Sequence, residues 1–252
     1  MIDFKIVIPA RFASSRFPGK PLEDLCGKPL VQHVYECAVS TGADTVIIAT
    51  DDERISAACK SFGAPVCMTS SDHVSGTDRI VEVAEKMGWN NEDLVVNLQG
   101  DEPLTPASII SQVASNLHDN PQAVCATLSA CLSSRDEITN PNVVKVVSDI
   151  NGFAMYFSRA DIPYDRDQTV PEDDISEYQR HIGIYAYRVG FLKEYTQMPV
   201  CKLEKHEALE QLRILWNGKK IHVAEAVELP GHGVDTPEDL EQVKHLLENA
   251  ES

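Results

Sequence analysis

The sequence predicts an α/β fold built on a mostly parallel sheet, and two observations lead to it. Short β-branched apolar runs alternate with amphipathic helical stretches over the first half of the chain. The first such run, Phe4-Lys5-Ile6-Val7-Ile8, leads into a loop carrying Arg11, Arg16, Lys20, small residues and prolines. A loop leaving the first strand of an open α/β sheet sits where such sheets bind ligands. Small side chains let a polyanion approach the backbone amides, and fixed cations neutralise its charge. Pro18-Gly19 alone would suit a rigid surface turn, but three cations on one loop of an acidic protein favour phosphate binding.

Composition narrows the function. The chain has 252 residues, 22 basic against 39 acidic, for a formal charge of -17. That field opposes nonspecific binding to nucleic acid or to an anionic membrane. The length suits one domain with a smaller lobe, expected within about residues 150–220. Seven cysteines without a Cys-x-x-Cys pair read as small buried hydrophobes in a reducing compartment. No secretory leader pattern and no bilayer-length apolar run stands out, so a cytoplasmic protein is expected.

The elements follow in order. Leu30 to Ser40 has helical spacing and stops before Gly42. Thr45 to Ala49 reads as a strand, and Thr50 to Glu53 as a capping box opening a helix to about Phe62, with Asp51 and Asp52 as capping acids. After a strand at Pro65 to Met68, Ser75-Gly76-Thr77 precedes an amphipathic helix. It fits nucleobase or phosphate recognition and an ordinary N-cap equally well. Leu94-Val95-Val96-Asn97-Leu98 is nearly apolar, as a strand buried on both faces requires. Asp101, just beyond it, would stand at the carboxyl edge of the sheet beside the first loop. A carboxylate there can hold Mg2+, or merely cap a helix over Pro106 to Leu117.

Further strands are expected at Val124–Ala130, Val143–Val147, Phe153–Phe157, Ile182–Tyr187 and Ile221–Ala226. Between Pro163 and Glu177 the chain is polar and acidic, and reads as an excursion from the sheet. Leu203 to Trp216 reads as a single helix with Leu209, Leu212 and Trp216 inward. His206 and Glu210 then lie four apart on a solvated face. Near the end, Thr236, Pro237 and Asp239 suit a helix start. Asp235 is left without a capping role and is the natural second metal carboxylate. The first loop lacks both the dinucleotide glycine fingerprint and the Gly-rich Lys-Ser/Thr loop of nucleoside triphosphatases.

A collinear set of motifs carries a resemblance. The stretches are Ile8 to Leu22, Asp72 to Arg79, Asn97 to Pro103, Asn140 to Val147, Tyr156 to Ala160, Arg180 to Tyr185, Leu209 to Arg213 and Gly233 to Leu240. Together they resemble the 3-deoxy-D-manno-octulosonate (Kdo) cytidylyltransferases, the CMP-Kdo synthetases, over nearly the whole chain. The resemblance implies a nucleotide-diphosphosugar-transferase-type sheet with a smaller α+β lobe for dimerisation. It implies transfer of CMP from CTP to Kdo, an anionic octulosonate sugar acid, with Mg2+ and release of pyrophosphate. Carried over to this sequence, Arg11 and Lys20 would contact the CTP phosphates, with Pro9, Ala10, Ser75, Gly76, Thr77, Arg79 and Asp101 completing the nucleotide site. Asp101 and Asp235 would hold the metal. Arg16, Gln99, His181, Tyr185, Glu210 and Gln211 would surround the sugar acid, and a homodimer is implied. The lead-in Cys201 to His206 lacks the proline that the family carries there. A related acid, such as 8-amino-Kdo or a nonulosonate, and a non-catalytic nucleotide-sugar-binding protein are the alternatives.

Overall fold

The computed structural model describes residues 2–13, 16–73, 75–167, 171 and 174–250. Ser14 and Ser15 of the first loop, Val74, and residues 168–170, 172 and 173 of the acidic stretch lie outside the described residues. The chain begins with β1 (Lys5–Pro9), a 3-10 turn (Lys20–Leu22), β2 (Asp24–Leu25), β3 (Lys28–Pro29) and α1 (Leu30–Ser40). Next come β4 (Thr45–Thr50), α2 (Glu53–Ser61), β5 (Val66–Met68), α3 (Gly76–Lys86), β6 (Leu94–Asn97) and α4 (Ala107–Asp119). Then follow β7 (Cys125–Cys131), α5 (Asp136–Thr139), β8 (Lys145–Ser148), β9 (Ala154–Ser158) and β10 (Gln179–Arg188). The chain closes with α6 (Val189–Tyr195), α7 (Lys202–Glu207), α8 (Leu212–Trp216), β11 (Ile221–Glu225) and α9 (Pro237–Ala250).

The main sheet runs β11-β7-β10-β6-β1-β4-β5. Only β10 runs against the others, since it pairs antiparallel with β6 and β7 while the remaining neighbours pair parallel. The expected mostly parallel sheet is therefore what forms. β1 lies between β4 and β6, both parallel to it, so the chain leaves in opposite directions on its two sides. That is a topological switch point, and the loops after β1 and β6 open at the same edge. Alternation along the strands builds the core on both faces. Ile6, Ile8 and Val96 pack with α1 and α4, while Val7, Ile47 and Val95 pack with α3 and α6 on the other side.

A β8–β9 hairpin extends from the start of β10, where Lys145 and Val146 stand opposite Arg180 and Gln179. Lys145 is fully buried. Its ammonium donates to the carbonyls of Asn140 at 2.9 Å, Val143 at 2.7 Å and Arg159 at 2.8 Å. Three acceptors satisfy the three ammonium protons, which a buried charge requires. The Asn140 to Val147 motif is thus explained by the way the hairpin is fastened.

Four expectations are corrected. Leu203 to Trp216 is not one helix: Ala208 adopts a left-handed conformation (φ 52) and divides it into α7 and α8. His206 and Glu210 consequently lie on opposite sides of a break. Trp216 is 56% exposed, because the short α8 turns only Leu212 and Ile214 inward. At α2 the N-cap is Asp52, whose carboxylate accepts from Arg54 and Ile55 amides, whereas Asp51 is an ion-pair partner of Arg79. Of the cysteines, all free, Cys26 and Cys131 are exposed.

Candidate active site

The basic loop after β1 is held in shape by an aromatic anchor. Arg54 stacks its guanidinium 3.3 Å from the centre of the Phe12 ring, and the Gly19 amide donates to the Phe12 carbonyl at 2.9 Å. Gly19 has φ 80, and a side chain on it would meet the Phe12 ring at 3.2 Å. This left-handed residue turns the chain into the 3-10 turn that presents Lys20. The loop after β6 is fitted to it even more closely. A methyl group on Gly100 would stand 2.7 Å from the Pro9 carbonyl, so only glycine lets Asp101 approach.

Lys20 is 7% exposed, and its ammonium is the meeting point of distant segments. It lies 2.7 Å from Asp101 Oδ2, 2.7 Å from the Val234 carbonyl and 3.4 Å from Asp235 Oδ1. Arg16 reaches the other oxygen of Asp235 at 3.1 Å. The Val234 amide donates to the Asp101 carbonyl at 2.8 Å, which ties the two carboxylate loops together. Asp235 itself is presented by the start of α9. There Asp239 accepts from the amides of Asp235 and Thr236, and the Thr236 hydroxyl accepts from the Asp239 amide. Two carboxylates converging on one cation give oxygen donors of the kind a hard divalent ion takes. Among the described residues no cluster of three or more His, Cys, Asp or Glu forms a metal site by itself.

Pro9, Ala10, Arg11, Lys20, Gly76, Gln99, Gly100 and Asp101 line a cavity of about 320 Å³ at this edge. Arg11 reaches across it and donates to the carbonyls of His73 and, at 3.2 Å, Ser75. Ser75 caps α3 in a reciprocal box with Asp78, and Gly76, first residue of that helix, lines the cavity. Glu102, part of the Asn97 to Pro103 motif but given no role there, stands beside Asp101 and Asp235. Burial, and then the neighbouring Asp101 charge, pushes its carboxyl up to about 7.

A second cavity, of about 430 Å³, adjoins the first and shares Gly76 and Gln99 with it. Its walls include Ser75, Thr77, Asn97, Tyr185, Tyr187, Tyr195, Glu210 and Gln211. Burial raises the Tyr185 phenol well above its ordinary value and also raises the Glu210 carboxyl. The Glu210–Gln211 turn follows the break at Ala208 and is gripped from two sides. On one side the Glu207 carboxylate accepts from the Ser158 hydroxyl at 2.7 Å and the Arg159 amide at 2.9 Å, while Arg159 Nε donates to the Glu207 carbonyl at 2.7 Å. On the other, Arg213 forms a buried, two-point ion pair with Glu204, one contact at 2.8 Å. Arg213 also lies 4.6 Å from the centre of the Tyr195 ring, whose hydroxyl donates to the Glu210 carbonyl at 3.3 Å.

Two predicted residues stand behind the walls rather than on them. Arg79 is 0% exposed and binds the Thr69 hydroxyl and Asp51, the latter at 3.3 Å. His181 is wedged against Phe157 and Tyr185, with Nε2 3.0 Å from the Thr127 hydroxyl. Burial lowers its pKa to about 4, so its ring is neutral near pH 7. Arg16 and Asp235 pair with each other at the rim of the first cavity. Asn97 was missed as a site residue. Its signals in the sequence are one amide in an otherwise apolar strand and its place at the head of the Asn97 to Pro103 motif.

A switch-point cavity with a buried lysine, paired carboxylates and a helix N-terminus defines a nucleotide-binding α/β protein. The comparisons narrow the class. Residues 5–221 match the cytidylyltransferase family, and this chain belongs to it. The chain is 56% identical over 248 residues to the 3-deoxy-manno-octulosonate cytidylyltransferase of Aliivibrio fischeri (strain MJ11), covering 98% of this chain and 99% of that protein. It is 57% identical to the enzyme of the same name from Vibrio parahaemolyticus serotype O3:K6, covering 98% of each. Among solved structures, a CMP:2-keto-3-deoxy-manno-octonic acid synthetase complexed with CTP superposes with a TM-score of 0.90 at 44% identity, covering 99% of this chain and 100% of the other. A cytidylyltransferase from Leptospira borgpetersenii shares the fold, with a TM-score of 0.63 at 16% identity.

Proposed function

We propose that this protein transfers CMP from CTP to 3-deoxy-D-manno-octulosonate, giving CMP-Kdo and pyrophosphate and activating the sugar for lipopolysaccharide synthesis. One observation carries the reading: the cationic cavity and the aromatic, amide-lined cavity share Gly76 and Gln99, so their occupants would abut. A nucleotide in the first would lay its phosphates against Arg11 and Lys20, with its base near Ser75 to Thr77. A sugar acid in the second would meet Gln99, Tyr185, Glu210 and Gln211, and Arg16 would leave its pair with Asp235 to meet the acid's carboxylate. Arg79 and His181 support these walls from behind.

The reaction joins the anomeric hydroxyl oxygen of the sugar to the α-phosphorus of CTP and breaks the bond from that phosphorus to the β-phosphate oxygen. The hydroxyl proton is lost to solvent and pyrophosphate leaves in line. In phosphoryl-transfer chemistry positioning and charge neutralisation supply most of the rate. Lys20 and Arg11 stabilise negative charge that builds on the phosphates. Asp101 and Asp235 would hold Mg2+, which, when bound, neutralises phosphate charge and acidifies a hydroxyl. The neutral His181 keeps Tyr185 in place without adding charge to the sugar end. No helix among the described residues is long and apolar enough to cross a membrane. A cytoplasmic homodimer, with the smaller lobe within about residues 150–220 as its interface, fits this reading.

Pyrophosphate release tests it. With CTP and Mg2+, release should require Kdo and be much slower with 8-amino-Kdo or sialic acid. Faster turnover with another acid would reassign the substrate. Tight CTP binding with no release from any acid would favour a binding protein.

A further inference from the structure

We propose that Asn97 reads the sugar acid directly, its side-chain amide taking a hydroxyl of the bound substrate. The inference rests on the functional reading above and adds a residue to it. Asn97 ends β6, where its three companions Leu94, Val95 and Val96 are apolar and no more than 4% exposed. It is itself 6% exposed, and its Oδ1 is enclosed with no hydrogen-bond partner among the described residues. Folded proteins rarely leave a buried amide oxygen unpaired, because nothing returns the hydration it lost. An apolar side chain would serve the strand better if packing were the only demand.

The location indicates what the amide awaits. Asn97 stands directly opposite Tyr185 in the β6–β10 register, so the two side chains share a sheet face. Both line the second cavity and neither lines the first, which holds Arg11, Lys20 and Asp101. Gln211, 9% exposed, lines the same cavity, and its Nε2 is likewise enclosed without a partner among the described residues. The cavity thus offers an orphan acceptor and an orphan donor. An anion would satisfy the donor and repel the acceptor, whereas a polyhydroxylated chain satisfies both. A hydroxyl donates and accepts, so it also pairs with Asn97 if the amide is turned over. The ribose of the nucleotide is the competing occupant. Ser75 and Thr77, given above to the base, line this cavity too, but Asn97 stands directly opposite Tyr185 in the register and Gln211 carries the complementary orphan, which favours the acid.

The test uses the full-length enzyme and the variants Asn97→Leu and Asn97→Ser. Calorimetry gives CTP affinity, pyrophosphate release gives KM for the acid, and thermal melting reports folding. Removing the hydrogen bond should raise KM for the acid about ten- to a hundredfold in the leucine variant, and less in the serine variant. CTP affinity should be unchanged, and Asn97→Leu should melt no lower than wild type, since an unsatisfied group has gone. An acid lacking the hydroxyl that Asn97 reads should bind wild type and Asn97→Leu equally. Unchanged KM for the acid in both variants would overturn the proposal, as would loss of CTP affinity in its place. A large drop in melting temperature in both variants with KM unaltered would make Asn97 a structural residue and likewise overturn it. Failure of the wild type to turn over any acid would instead sink the functional reading.

Discussion

The two cavities solve opposite problems. The first, the proposed phosphate end, is crowded with charge that is paired internally: Lys20 with Asp101 and Asp235, and Arg16 with Asp235. Those groups can exchange partners when a polyanion and its cation arrive together. The second, the proposed sugar end, presents phenols, amides and a carboxyl with a raised pKa. Its charges sit one layer back, in Glu204–Arg213 and in the Arg159–Glu207 contacts, where they hold a turn still. One end is built to re-pair, the other to stay fixed.

That contrast breaks most visibly behind the sugar end. Arg213→Ala strands the buried Glu204 carboxylate and should cost about 3–5 kcal/mol of stability by denaturant unfolding. It should also raise KM for the acid while leaving CTP affinity intact. The double variant Glu204→Met/Arg213→Met should regain much of the stability but not the low KM. Recovery of both would mean that the pair fixes nothing. At the phosphate end, Lys20→Met should lower kcat by about a hundred- to a thousandfold with little change in KM for the acid. Near-normal turnover at saturating substrates would remove Lys20 from the chemistry.

Acid should expose the neutral histidine. His181 titrates near 4 when folded, against 6.5 in the unfolded chain. Between those values the unfolded state binds more protons, so stability is full above 6.5 and falls as pH drops towards 4, by about 3 kcal/mol from this group. His181→Gln should flatten that limb in unfolding curves measured from pH 7 to pH 4. The smallest effect is expected from the exposed Arg16. Arg16→Ala should raise KM for the acid about three- to tenfold and leave CTP binding largely intact. The reverse pattern would hand Arg16 to the nucleotide.

Much of this was legible in the residues because local rules and the fold agree. The apolar runs became strands, Ser75 capped its helix as one of its two readings had it, and Thr236 and Asp239 formed their capping box. Asp235 stood out in sequence because capping did not use it. What escaped depends on contacts between segments far apart in the chain. Nothing local marks Ala208 as left-handed, so a helix was drawn through it. Asp51 looked like a cap until α3 brought Arg79 beside it. Asn97 read as part of an apolar strand because one amide does not disturb a burial pattern. Only the folded structure shows that its Oδ1 has no partner among the described residues.

Phosphorus NMR of the reaction tests the central claim most directly. The enzyme is supplied with CTP, Mg2+ and 3-deoxy-D-manno-octulosonate. The account predicts that CTP resonances give way to pyrophosphate and one new phosphodiester signal, in equal amounts and only when the acid is present. Appearance of CDP with orthophosphate, or consumption of CTP without a phosphodiester product, would contradict transfer at the α-phosphorus.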